Sequence, residues 1–350
     1  MKLVCSLFLS VLIATPLVHA DTLRFLNWED YLSNEVEQLW QQQGHNIDTI
    51  LFDNDQERDA ILIRAKKSRI DVAVIDESIG KLFGEQGKLL ELNETNIPTL
   101  AHIAPFWRKR CGKYSVPYLW GTMGIAYRSD VISNPPVSWK AILEPSNQLK
   151  NHISMMDDYT DMLAPALFMQ GFSLNTESKY ELKQAFSTLK KQAPDVLTYD
   201  YPITFLTNNV KADQLYMAQV YGGDQITMNE KSGVAGLWKY VVPKEGTILW
   251  VDCLAISSDS ENKALALQFI NFLNQPEIAA KNSEQLFNAT PNHSAKALLP
   301  KDFRHNRAIF PDDEIMQRSQ LYQELSNENI KLRLRITNSI VNIYESSEAR

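Results

Sequence analysis

Between residues 22 and 75 the chain alternates extended and helical patterns, an order that restricts it to a parallel sheet with helices on its faces. Residues 22–27 alternate as a strand, and Ser33 and Asn34 followed by Glu35, Val36, Leu39 and Trp40 read as a capped amphipathic helix. Residues 47–52 form a second strand. Residues 55–67 are charged with Ile61 and Ile63 among them, as in a helix, and residues 70–75 read as a nearly continuous buried strand. Ligands of such sheets gather at the carboxyl ends of the strands. Trp28, Glu29, Asp30 and Tyr31 follow the first strand at that end, and Asp76, Glu77 and Ser78 follow the third.

A second α/β unit begins after Arg128. Pro135 and Pro136 break the chain, residues 153–156 form a short strand, and Asp157 and Asp158 precede a helical run over residues 159–170, with Pro165 as a kink. Leu182, Ala185, Phe186 and Leu189 recur at helical spacing within residues 180–191, and residues 216–221 read as a strand closed by Gly222 and Gly223. Residues 264–273 form a helix ended by Asn274, Gln275 and Pro276.

Residues 1–20 read as a secretory signal: Lys2 gives the positive start, residues 7–13 are mostly apolar, and Val18, His19 and Ala20 resemble a cleavage site. About 330 residues then remain, more than one hydrophobic core usually serves, so two lobes are expected. An exported chain can keep a disulfide between Cys111 and Cys253, although their sequence separation says nothing about their distance. The net charge is −7, and loss of Lys2, the only charged residue in the signal, makes it −8. That balance argues against nucleic acid and anionic lipid and is compatible with a cationic ligand.

The most chemically pointed segment is residues 246–257, an apolar run holding Trp250 and, two positions on, Asp252. On a strand these two side chains share a side, so an acid and an indole would face one cavity. An ammonium on a hydrocarbon chain suits such a pair, because the acid holds the charge while the ring covers methylenes. The plainer alternative is a strand acid that caps an end or pairs with a buried arginine. Asp158 and Asp161, three apart, would lie on one helix face and point at one amine; simple capping of the helix start competes. Trp28 and Tyr31 are either ligand rings or core residues, and Glu29 and Asp30 are either ligand acids or solvated. Tyr114 to Gly121 reads as a packed crossover between lobes.

Motifs for catalysis are thin. There is no H-E-x-x-H, G-x-S-x-G, C-x-x-C or phosphate-cradling glycine loop. Paired acids would also serve a glycoside hydrolase, and Tyr199, Asp200 and Tyr201 would serve iron, but ordinary surface tyrosines are the commoner case.

Taken together, Asn27 to Tyr31, Tyr114 to Gly121, the Asp157-Asp158 turn, Pro243 to Gly246 running into Leu249 to Asp252, Ile270 to Leu273 and Thr290 to Asn292 resemble the periplasmic spermidine/putrescine-binding proteins of bacterial transporters. The resemblance covers nearly all of the mature chain. It implies an α/β, two-lobed periplasmic binding protein of type II, the Venus-flytrap kind, with a hinge between lobes. The lobes would divide as residues 21–124 for the first, 125–248 for the second, and 249–350 for a return to the first plus C-terminal helices. It implies a non-enzymatic, monomeric polyamine receptor with no cofactor or metal and no nucleic-acid partner. The closed form would dock on the membrane permease of an ABC transporter or on a membrane sensor protein of biofilm control. Carried over, Trp28 and Tyr31 are first-lobe rings, Asp158 and Asp161 second-lobe acids, and Trp250 and Asp252 the hinge-side pair; Tyr221 stands for a family tryptophan. Glu29 and Asp76 complete the expected ligand set. Two departures bear on ligand identity: Asp76-Glu77-Ser78 replaces a Ser-Thr-Tyr-like turn, and Asn288 replaces a tyrosine. An acid gained at Asp76 would match a third amine.

Overall fold

The computed structural model describes residues 22–29, 31–52, 55–64, 69–323 and 325–348, so the signal expected at residues 1–20 and Asp30 lie outside the described residues. The first strands come as expected. β1 (Thr22–Asn27) pairs in parallel with β2 (Asn46–Leu51) and β3 (Val72–Asp76). The helix Asn34–Gln41 between β1 and β2 starts where Ser33 Oγ accepts the Val36 N–H at 3.2 Å, and it buries Val36 and Trp40 beneath the sheet.

The sheet then changes direction. β4 (Val116–Arg128) and β9 (Ile248–Ile256) run antiparallel to each other and join the two halves, in the strand order β2-β1-β3-β9-β4-β7-β5-β6. Here β5 is Ile153–Ser154, β6 Val196–Thr198 and β7 Met217–Tyr221, and β5 pairs in parallel with both β6 and β7. β8 (Trp238–Val241) adds to β4, and β10 (Gln320–Leu321) adds to β9.

Two large cores result. One gathers Leu23, Phe25, Val72, Ile75, Leu254 and Phe269; the other gathers Met123, Ile153, Met155, Leu167, Leu189 and Ile340. β4 crosses between them, with Val116, Leu119 and Trp120 in the first core and Met123, Ile125 and Tyr127 in the second. β9 crosses likewise, with Ile248 in the second core and Leu249 and Leu254 in the first. The molecule is therefore two-lobed α/β, and the Tyr114 to Gly121 segment enters the crossing strand. The last helix, Asn327–Glu348, lays Ile336 and Ile340 into the second core.

Cys111 and Cys253 form a disulfide with Cα atoms 5.9 Å apart, tying the helix Pro105–Cys111 to β9.

One helix differs from expectation. The run expected over residues 159–170 is helical only over Ala164–Met169, preceded by turns. Pro165 has no N–H to give to the Asp161 carbonyl, so a continuous helix would leave that carbonyl unbonded. The buried Gln219 supplies the missing donor, its Nε2 lying 2.7 Å from Asp161 O. Pro165 thus sits in the first turn of the helix rather than kinking its middle.

Candidate functional site

β9 shows the period of two that places Trp250 and Asp252 together. Both are partly exposed, while Val251 and Cys253 between and beside them are buried on the other side. Opposite Trp250 stands Gly121 of β4, where a Cβ would come within 2.5 Å of Trp250 Cζ2; the missing side chain is what lets the indole lie across the strand. Opposite Asp252, on β3, stands Asp76. Directly opposed residues project to one face of a sheet, so the two acids lie on one face at the carboxyl end of β3.

Tyr31 follows β1 and donates its phenol proton to Asp252 Oδ2 at 2.8 Å. Burial, and then the adjacent Asp252 carboxylate, push the Tyr31 phenol well above its ordinary pKa, so it remains a donor at any physiological pH. A relay holds it in place. Tyr118 donates to the Tyr31 carbonyl at 2.8 Å, Asn282 Nδ2 donates to the Tyr118 hydroxyl at 2.8 Å, and Asn282 Oδ1 accepts the Ser33 N–H at 2.9 Å. The same loop thus caps a helix and fixes a cleft tyrosine.

From the second lobe, Tyr221 at the end of β7 meets the Trp250 ring edge-on, with centroids 6.2 Å apart and planes at 78°. Its hydroxyl donates to Asp161 Oδ2, and the hydroxyl of Tyr322, just past β10, donates to Asp161 Oδ1. Asp161 is only 4% exposed and lies behind these two phenols. Asp158 sits in the turn before, its Oδ1 accepting the N–H groups of Thr160 at 2.7 Å and Asp161 at 3.1 Å. Asp158 is exposed, and the surrounding protein still desolvates its carboxyl enough, against the backbone N–H bonds, to raise its pKa.

Asp224 opens the helix Asp224–Ser232, where it accepts the Tyr221 N–H at 2.9 Å and the Tyr201 hydroxyl at 2.6 Å. Burial pushes it up to about 6 despite those donors. Asn288 lies against Gly223, its Oδ1 3.4 Å from where a Cβ on that glycine would be.

One line therefore runs from Asp161 through Tyr221, Trp250 and Asp252 to Tyr31, with Asp158 at one end and Asp76 beside the other. Trp28 is half-buried against Phe52, centroids 4.2 Å apart, and Glu29 is exposed; neither makes a contact with that line among those described. The side chain of Asp76 accepts from Arg58 Nη2 at 2.7 Å and from the Ile79 N–H at 2.9 Å. Tyr199 packs edge-on against Tyr344 in the second core while Tyr201 binds Asp224, so the two phenols do not converge as iron ligands would. Sequence reading missed Tyr322, Tyr118, Arg58 and Asp224. Tyr322 carries no motif, whereas Asp224 directly after Gly222 and Gly223 had the form of a helix start at a strand's carboxyl end.

Residues 45–311 match the family model of bacterial extracellular solute-binding proteins. A relative from Vibrio cholerae named norspermidine sensor is 33% identical over 343 residues, covering 97% of this chain and 95% of the relative. The spermidine/putrescine-binding periplasmic protein of Escherichia coli K12 is 26% identical over 314 residues, covering 86% of this chain and 87% of its own. Among solved structures, the spermidine/putrescine ABC transporter substrate-binding protein of Streptococcus pneumoniae superposes with a TM-score of 0.82 at 25% identity, covering 93% of this chain and all of that one.

Proposed function

The chain belongs to the bacterial extracellular solute-binding proteins, and from that premise we propose that it is a periplasmic receptor for a polyamine. The observation that carries this reading is the run of acids and rings drawn from both lobes, Asp161, Tyr221, Trp250, Asp252 and Tyr31. A polyamine is a chain of protonated amines separated by methylenes, and it needs acids for the amines and rings for the methylenes. Asp252 and Asp158 hold ammonium groups while Trp250 and Tyr221 cover the methylenes and exclude water, which strengthens each ion pair. Asp161 positions Tyr221 from behind.

Neither lobe completes the site alone. Ligand favours the closed form by the contacts that exist only there, shifting a hinge equilibrium at the crossing strands β4 and β9. The protein performs no chemistry on its ligand, uses no cofactor and acts as a monomer after export. The closed form then docks on a membrane partner. For the permease of an ABC transporter the support is the transporter relatives; for a membrane sensor it is the 33% identity with a norspermidine sensor across nearly the whole chain.

Native mass spectrometry of gently purified mature protein tests the ligand class. A single retained polyamine is expected, and a co-purified sugar, amino acid or iron would overturn the reading. A deletion strain separates the two partners: reduced polyamine uptake marks transport, and normal uptake with altered biofilm marks sensing.

A further inference from the structure

Arg58 is the least expected residue near the cleft, a guanidinium only 2% exposed on the charged helix Asp55–Ile63. Its Nη2 lies 2.7 Å from Asp76 Oδ2, and it bonds Asp59 Oδ1 at 2.9 Å. Its Cζ lies 6.0 Å from the centroid of the Phe52 ring, and Phe52 packs on Trp28 at 4.2 Å. These are carboxylates and aromatic faces around a cation, the surroundings that a ligand ammonium would seek.

Asp76 stands directly opposite Asp252 in the β3–β9 register. Like charges at directly opposed positions repel, and a neighbouring cation relieves that repulsion. Arg58 supplies one on the Asp76 side. It is covalently part of the chain and buried, so no ligand displaces it.

We propose that Arg58 is a specificity-determining residue: a resident guanidinium occupies the first-lobe end of the cleft, takes up the charge of Asp76, and so limits how many ammonium groups a ligand can place beyond Asp252. This rests on the polyamine reading above and deepens it. The consequence runs against the simplest view of Asp76, in which an added acid recruits a further amine. Asp76 is matched from within, and the site favours ligands whose charged part ends at Asp252.

The test is calorimetry with putrescine, spermidine and spermine on the wild type, on Arg58→Met and on the double variant Arg58→Met with Asp76→Asn. Arg58→Met leaves Asp76, and Asp59 behind it, without their guanidinium and is expected to raise the spermine-to-putrescine affinity ratio about tenfold. The double variant removes one charge of each sign and leaves Asp59, so the local net charge stays as in the wild type; it keeps an oxygen for the Ile79 N–H and is expected to restore the wild-type ratio within about twofold. Because it leaves no unmatched charge at residue 76, it keeps the test available if the single variant fails to fold. A double variant that loses spermidine or spermine selectively would show Asp76 binding ligand directly and overturn the inference, as would an unchanged ratio in a folded Arg58→Met protein. Absence of binding by the wild type would instead remove the polyamine reading, and this inference with it.

Discussion

Tyr31 and Asp252, 221 residues apart in the chain, meet in a hydrogen bond of 2.8 Å from phenol to carboxylate. The bond orients the partly exposed Asp252 carboxylate, and charge-assisted hydrogen bonds to a carboxylate are the strong ones. Asp252→Asn is expected to weaken polyamine binding by about 2 to 3 kcal/mol, roughly 30- to 150-fold, and Tyr31→Phe by about 1 kcal/mol. Titration calorimetry reads both, and an Asp252→Asn protein of unchanged affinity would remove the residue from the site.

Gly121 is the floor on which Trp250 lies. A Cβ there would come within 2.5 Å of Cζ2 and 2.7 Å of Cε2 of the indole. Gly121→Ala is expected to lift the ring out of the line with Tyr221, with a loss of about 1 to 3 kcal/mol in stability from overpacking and a parallel loss of affinity. Thermal unfolding together with ligand titration checks it; an alanine variant equal to the wild type in both would mean that the indole has room to spare.

Sequence alone reached a good part of this arrangement, for identifiable reasons. The period of two in β9 put Trp250 and Asp252 on one side, because strand geometry permits nothing else once the strand is recognised. Ser33 was legible as a cap, and the β1–β2–β3 order followed from alternation of patterns. What failed was anything set by distant partners. The turn at Asp158 to Leu163 depends on Gln219 bonding the Asp161 carbonyl in place of the nitrogen of Pro165, a contact across 58 residues. Tyr322 reaches Asp161 across 161 residues, and no local pattern marks either end. Arg58 reads as one more charge on a polar helix, since its burial depends on Phe52 and on Asp76, which belong to other elements.

The disulfide joins the helix Pro105–Cys111 to the crossing strand right beside Asp252. Reduction, or Cys111→Ser with Cys253→Ser, is expected to destabilise the protein by about 2 to 4 kcal/mol. Denaturant unfolding with and without reductant measures this, and identical midpoints would contradict it.

Two acids of the second lobe, Asp224 and Asp158, give the protein a pH response whose sign follows from their desolvation. Asp224 rises from 3.8 to about 6, and Asp158 is shifted in the same direction. A carboxyl whose folded pKa is raised stabilises the fold below its unfolded pKa and loses that contribution as pH climbs through the folded value. For Asp224, stability of the ligand-free protein falls between about pH 4 and pH 6. Cation binding needs Asp158 ionised, so with its raised pKa affinity is expected to fall as pH drops below neutral, with protons released on binding. Calorimetry in buffers of different ionisation heat counts those protons; proton uptake, or affinity that rises toward pH 5, would contradict the assignment.

The most direct measurement is titration calorimetry of the purified mature protein with putrescine, cadaverine, norspermidine, spermidine and spermine at neutral pH. Saturable binding of at least one of them at one site per chain, weakened by added salt, is the predicted result. No binding of any of the five at millimolar concentration would contradict the account.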